Sequence, residues 1–202
     1  MRRNLSIVII LSILLSLTGC SKSPRLDKDS FKKYALSDLH LEEKDGAILD
    51  DPGFYDMDSR IDNLETSGYP LDHYSQVYSK TTQKVINEMY IVYSDYQKEE
   101  DARKFYSDLV EAEKAMLTTK TDKHSVDEGK DHLIVLTQSD TMSWKFECLY
   151  IDGDVVLFSM IILAGGISSL DTEWLSSVKT FFQDLRIRQP LSLAPEISDL
   201  IK

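Results

Sequence analysis

Two cysteines, four histidines and a run of aspartates are the side chains of this 202-residue chain with most chemistry to offer. A catalytic thiol needs solvent access and a neighbouring base that lowers its pKa. Cys148 instead alternates with Trp144, Phe146 and Tyr150, which predicts a small core residue on the apolar face of a strand. His40, His73, His124 and His132 form no i,i+4 pair and sit in no His-Glu-x-x-His pattern, so their spacing predicts no zinc site. His124 and His132 flank a polar stretch that could close into a two-ligand site, but solvated loop histidines are the simpler expectation. No Gly-x-Ser-x-Gly elbow, phosphate-binding glycine loop or dinucleotide fingerprint occurs, and no cofactor is expected.

Hard cations favour several carboxylates on one flexible segment, which makes Asp56, Asp58 and Asp62 the candidate metal ligands. Counted from Asp56, however, an EF-hand loop fails at Arg60, Ile61 and Ser67, and a solvated acidic loop is the competing expectation. Tyr69, Tyr74 and Tyr78 lie in a polar, turn-rich stretch. Tyrosine offers contact area and a hydroxyl at little entropic cost, so these three are the candidate binding surface. The alternative is that they pack this stretch onto the rest of the fold.

Cys20 has a different context. Arg2 and Arg3 precede an apolar run from Leu5 to Leu17, and Leu17-Thr18-Gly19-Cys20 closes it. Thirteen residues of helix reach only about 20 Å, short of a ~30 Å hydrocarbon core, so the run reads as a signal-peptide h-region. The segment resembles the lipobox of bacterial lipoproteins. The resemblance implies removal of residues 1–19, a thioether-linked diacylglycerol on Cys20 and often a further acyl chain, such as palmitate, on its amine. Two or more acyl chains on one residue give a stable membrane anchor. Ser21 stands where an aspartate would imply inner-membrane retention, which leaves either the cell membrane or the outer membrane as the expected location. With Cys20 acylated, Cys148 has no intramolecular disulfide partner.

The formal charge of −11 becomes −13 once Arg2 and Arg3 are removed. Such a surface repels phosphate backbones, which excludes a nucleic-acid binder. The expected partners are the membrane, through the N-terminal lipid, and an envelope protein.

The elements that must position these residues follow from periodicity. Residues 20–26 read as the lipidated cysteine and a short tether. Residues 27–188 read as a single α+β domain and residues 189–202 as a weakly ordered tail. A helix is expected through Phe31, Tyr34, Leu36 and Leu39, followed by loops and irregular pieces over 46–82. Met89 to Tyr93 predicts a buried strand. Ser94 with Gln97 predicts a capping box for a helix over 96–117, with Glu99–Arg103 and Glu100–Lys104 pairs along it. Beyond a polar loop, 118–131, three strands are expected at Leu133–Leu136, Trp144–Tyr150 and Val155–Leu163, the last two joined by a tight hairpin at Asp152-Gly153. A final helix carries Trp174, Leu175, Val178, Phe181, Phe182 and Leu185. Asp171 is its N-cap, Leu170 and Leu175 form a hydrophobic staple, Arg186 and Arg188 face its negative end, and Pro190 stops it.

The order strand, helix, three-strand meander, helix predicts an antiparallel sheet with helices against one face. It resembles the order in PsbP-type and in ferredoxin-like domains, a likeness of fold carried by no residue motif. The functional reading is a membrane-anchored envelope lipoprotein with a non-catalytic protein- or ligand-binding domain. The alternatives are an envelope hydrolase whose site is assembled from residues 40–82, with His40 or His73 meeting Asp56 or Asp58, and an accessory subunit of an envelope complex.

Overall fold

The computed structural model describes residues 26–44, 47–49, 68–81, 86–119, 122–139 and 143–202. Helix α1 (Lys28–Asp38) is followed by two short strands, β1 (Glu43–Lys44) and β2 (Ala47–Leu49), and by β3 (Leu71–Lys80) and β4 (Asn87–Tyr96). Then come α2 (Glu99–Leu117), β5 (Lys123–Glu128), β6 (His132–Ser139), β7 (Ser143–Asp152), β8 (Val155–Ala164), α3 (Thr172–Asp184) and a one-turn α4 (Pro195–Ser198). One sheet runs in the order β1-β2-β3-β4-β8-β7-β6-β5. From β3 to β5 every pair is antiparallel; β2 joins β3 in parallel. The fold is α+β, as the pattern predicts.

Helices cover both faces of the sheet, where the element order predicts helices on one, and the apolar run of Val155–Leu163 is what calls for the second cover. Strand alternation sends Met89, Ile91, Tyr93, Phe146, Cys148, Leu157 and Ile161 to a face under α1, α3 and the C-terminal turns. Tyr90, Val92, Leu133, Val135, Leu149 and Phe158 go to the opposite face, under Ala102 and Phe105 of α2. That is why β8 is apolar along nearly its whole length. In α1, Asp27 accepts from Ser30 N–H at 2.9 Å, and Phe31 stacks on Tyr93 with ring centroids 4.8 Å apart. In α3, Asp171 caps Glu173 and Trp174 at 3.1 and 3.0 Å. Leu170 and Leu175 are buried in one cluster, as a staple requires.

Several expectations are corrected. The stretch read as loops over 46–82 contains the ten-residue strand β3. Its run of polar residues hides the alternation, but Val77 and Tyr78 are buried on opposite faces. The expected loop 118–131 contains β5, an edge strand whose exposed side chains leave no apolar signal. Ser94 does not cap α2. It is buried within β4, and the N-cap residue is Lys98, which makes no side-chain cap bond. Arg103 pairs with Glu99 as expected, but Lys104 turns to Asp108 at 2.8 Å rather than to Glu100. The β7–β8 turn is one residue later than expected. Asp152 pairs with Val155, and the loop is Gly153-Asp154, with positive φ at Gly153 alone, as a type II′ turn requires.

The tail is folded. Leu191, Ala194, Ile197 and Ile201 are buried on the α1–α3 side of the sheet. Trp144 Nε1 donates to Glu196 at 3.1 Å, and Lys179 Nζ donates to the Ile201 carbonyl at 2.8 Å. The start is also earlier than the tether reading allows, because Leu26 is buried in the same cluster.

Candidate functional site

Cys20, Asp56, Asp58 and Asp62 lie outside the described residues. Tyr78 is 1% exposed, which removes it from any binding surface. Tyr69 and Tyr74 are half-buried against the α2-side core. Lys104 Nζ stands 5.6 Å from the Tyr69 ring centroid, and Gln76 donates to the Tyr74 hydroxyl. The three therefore pack this stretch onto the sheet, two of them with an edge in solvent.

Cys148 is fully buried, and burial pushes its thiol far above the ordinary range, so no thiolate forms at neutral pH. His124 and His132 do not meet. The β5–β6 register sets His124 opposite Thr137, five residues along β6 from His132, or about 17 Å at strand rise. His40 is exposed beyond the end of α1. Among the described residues no three His, Cys, Asp or Glu side chains could share a metal ion.

His73 has closer company. Its Nε2 lies 2.8 Å from Ser75 Oγ, and Asp95 stands opposite it in the β3–β4 register. Burial lowers the His73 pKa, Lys28 and Lys32 of α1 lower it further, and Asp95 opposes them. Serine, histidine and aspartate are the groups of a hydrolytic triad, but the placement lacks the third requirement. Ser75 sits within a paired strand, whose N–H groups lie in the sheet plane while the side chain stands across it. No backbone donors are thereby aimed at an oxyanion beside Oγ.

An open cavity lies at the end of the sheet where Leu26 enters. It measures about 660 Å³ and is bounded by the β7–β8 turn, the β5–β6 turn, the end of α3 and one face of α2. Leu26, Tyr150, Leu185 and Ile187 give it an apolar wall. Arg103, Lys130, Arg186 and Arg188 bring four cations to it, against the carboxylates of Asp131 and Asp152. Most of these charges are engaged. Asp152 accepts from Leu26 N–H, Asp131 bonds His132 Nδ1 at 2.9 Å, and Arg103 bonds Glu99 at 2.9 Å. Arg188 Nε donates to Asp127 at 2.6 Å, and this bond holds the Asp127 carboxyl below its usual range, with burial opposing. His132 Nε2 is 3.6 Å from Asp127, an ion-pair distance but too long for a hydrogen bond. Among the described residues, the side chains of Lys130 and Arg186 have no partner, and both are exposed.

Arg186 is held there by an unusual backbone. Its φ is 58°, in the left-handed region. Arg186 N–H donates to the Gln183 carbonyl at 2.9 Å and Ile187 N–H to the Phe182 carbonyl at 3.2 Å, which together close α3 in a Schellman motif. Glycine is the default at this position, and a side chain there costs roughly 1 kcal/mol. The cavity was not foreseen because its residues come from five separate segments. The one signal in sequence is a helix end, Leu185-Arg186-Ile187-Arg188, without the usual glycine or asparagine.

No known protein family matches the chain, and no curated protein does. Among solved structures, it is similar to the extracellular domain of PknH from Mycobacterium tuberculosis, with 8% sequence identity, 61% of this chain and 69% of that chain covered, and a TM-score of 0.41.

Proposed function

We propose that the chain is a lipoprotein of the bacterial envelope, cleaved before Cys20, acylated on that residue, and carrying outside the cytoplasm one domain that binds a partner rather than turning over a substrate. The observation that carries this reading is Leu17-Thr18-Gly19-Cys20 in register behind two arginines and an apolar run. The start of the fold is compatible with it. Leu26 is buried six residues after Cys20, so an anchored domain stands within about 20 Å of its lipid at full extension. The mature charge of −13 disfavours nucleic acid, and the membrane and an envelope protein are the proposed partners. A cation site at Asp56, Asp58 and Asp62 rests on the sequence alone.

The test is Cys20→Ser in the full chain. Acyl labelling disappears and the protein leaves the membrane fraction; a variant labelled and fractionated like wild type overturns the reading.

The 2.8 Å contact of His73 with Ser75 is the one observation on the side of a second reading, a hydrolase with its site in the 40–82 stretch, and the want of oxyanion donors beside Ser75 stands against it. A fluorophosphonate reagent decides between them. Covalent labelling of Ser75, abolished by His73→Gln, establishes the hydrolase; an unlabelled native protein supports the binding domain.

A further inference from the structure

We propose that the cavity at the Leu26 end of the sheet binds a phosphate group borne on a short aliphatic stem, of the kind found in glycerophosphate headgroups. Lys130 and Arg186 hold the phosphate, and Leu185 and Ile187 line the path of the stem.

Once neighbours are included, the cations at this cavity are matched in number by carboxylates but not in contact, since among the described residues no carboxylate bonds Lys130 or Arg186. Glu99 satisfies Arg103, Asp127 satisfies Arg188 Nε, and Asp131 and Asp152 are engaged by His132 and Leu26. The capacity for an added anion therefore lies in the two cations without partners, Lys130 and Arg186, assisted by the terminal amines of Arg188. A planar guanidinium offers paired donors to two oxygens at once, and an ammonium supplies a point charge. Several donors converging from different segments suit the tetrahedral array of phosphate oxygens better than a planar carboxylate.

The second observation is Arg186 itself. A residue held at φ 58° where glycine is the default marks a position at which the backbone preference is overruled. Among the described residues no hydrogen bond or ion pair uses the Arg186 side chain, and Arg186 lines the cavity. The third is the mixed lining. An apolar wall beneath a cationic rim fits an anion with a hydrocarbon stem, and about 660 Å³ falls within the usual range for small-ligand cavities.

Two sources present this chemistry: a free phosphorylated metabolite, and the headgroup of a phospholipid in the membrane that holds the anchor. The lipid source alone rests on the anchoring proposed above. On the other side of Leu26, Asp27, Asp29, Asp72, Asp95 and Asp154, against the single cation Lys28, line a hollow of about 420 Å³. Those acids repel a flat anionic surface, so the contact is one phosphate in one cavity rather than a broad basic face lying on the bilayer.

The experiment is native mass spectrometry of the full chain purified in neutral detergent, offered glycerol 3-phosphate, phosphatidylglycerol or the phosphate-free lipid diacylglycerol. The mass of the chain reports acylation independently of binding, so failure of the anchor reading and failure of this one are separable. The expected result is an adduct with glycerol 3-phosphate, with phosphatidylglycerol or with both, and none with diacylglycerol beyond background; an equal adduct with diacylglycerol overturns the proposal. An adduct with the metabolite alone assigns the free source, and one with the lipid assigns the headgroup. Arg186→Gly combined with Lys130→Ala weakens the adduct at least tenfold. Arg186→Gly alone leaves the melting temperature equal or higher, because glycine suits the backbone there. A folded wild-type chain that takes up neither phosphate ligand overturns the proposal. So does an adduct that the double variant leaves unchanged.

Discussion

The backbone N–H of Leu26 donates to the carboxylate of Asp152, 126 residues further along the chain. This bond fastens the first described residue of the fold to the β7–β8 hairpin, at the rim of the cationic cavity.

Removing the acceptor frees that end. Asp152→Ala is expected to cost about 1.5–3 kcal/mol, the usual value of a hydrogen bond to a charged group, and Asp152→Asn less. Urea denaturation measures the cost, and amide exchange at Leu26 rises in step with it. Unchanged exchange in Asp152→Ala would show that the bond holds nothing.

The C-terminal turns contribute to stability as part of the core. Ile197 is fully buried, so Ile197→Ala is expected to cost about 2–4 kcal/mol through lost burial and a residual cavity. A variant as stable as wild type in thermal denaturation would return residues 189–202 to the status of a loose tail.

Cys148 is expected to be inert while the protein is folded. It is fully buried among core side chains, and burial raises its thiol pKa. A soluble thiol reagent added to native protein at pH 8 leaves it unmodified, and the same reagent labels it stoichiometrically in denaturant. Rapid native labelling would mean that β7 presents its other face to α3.

The elements that could be read from sequence are those where one physical signal dominates. The continuous apolar run of β8 needs cover on both sides, and the stripe of α3 ends in an aspartate cap that forms as expected. β3 was missed because Asp72, His73, Ser75 and Gln76 precede and mask three buried positions, Val77, Tyr78 and Ser79, the last of them polar itself. Its place in the sheet comes from nine partners on β4, a tertiary pairing with no local signature. β5 was missed for the opposite reason. An edge strand is kept polar, and Val126, its one large apolar residue, is exposed. Cys148 could be placed because alternation alone decides which way it faces. The cavity could not, since Lys130, Arg186 and Leu26 meet only after the sheet has formed.

His73 gives stability a pH dependence of known sign. Its pKa in the fold is lowered from the ordinary 6.5, chiefly by burial and then by Lys28 and Lys32, with Asp95 opposing. As pH falls below about 6.5 the unfolded chain takes up a proton that the folded one refuses, so this contribution to stability declines until the folded pKa is passed. His73→Gln is expected to flatten that part of the curve in denaturation experiments between pH 7 and 5. A wild-type curve that is level, or that rises toward pH 5, would contradict the assignment.

The proposed membrane anchor is Cys20, and the mass of the N-terminal peptide of the mature protein tests it directly. Protein isolated from the membranes of a bacterial host is digested, and the peptide containing Cys20 is sequenced in the mass spectrometer. The predicted result is a peptide that begins at Cys20 and carries a diacylglyceryl thioether, with or without an amide-linked acyl chain. A peptide with an unmodified Cys20, or one that reads through from Gly19, contradicts it.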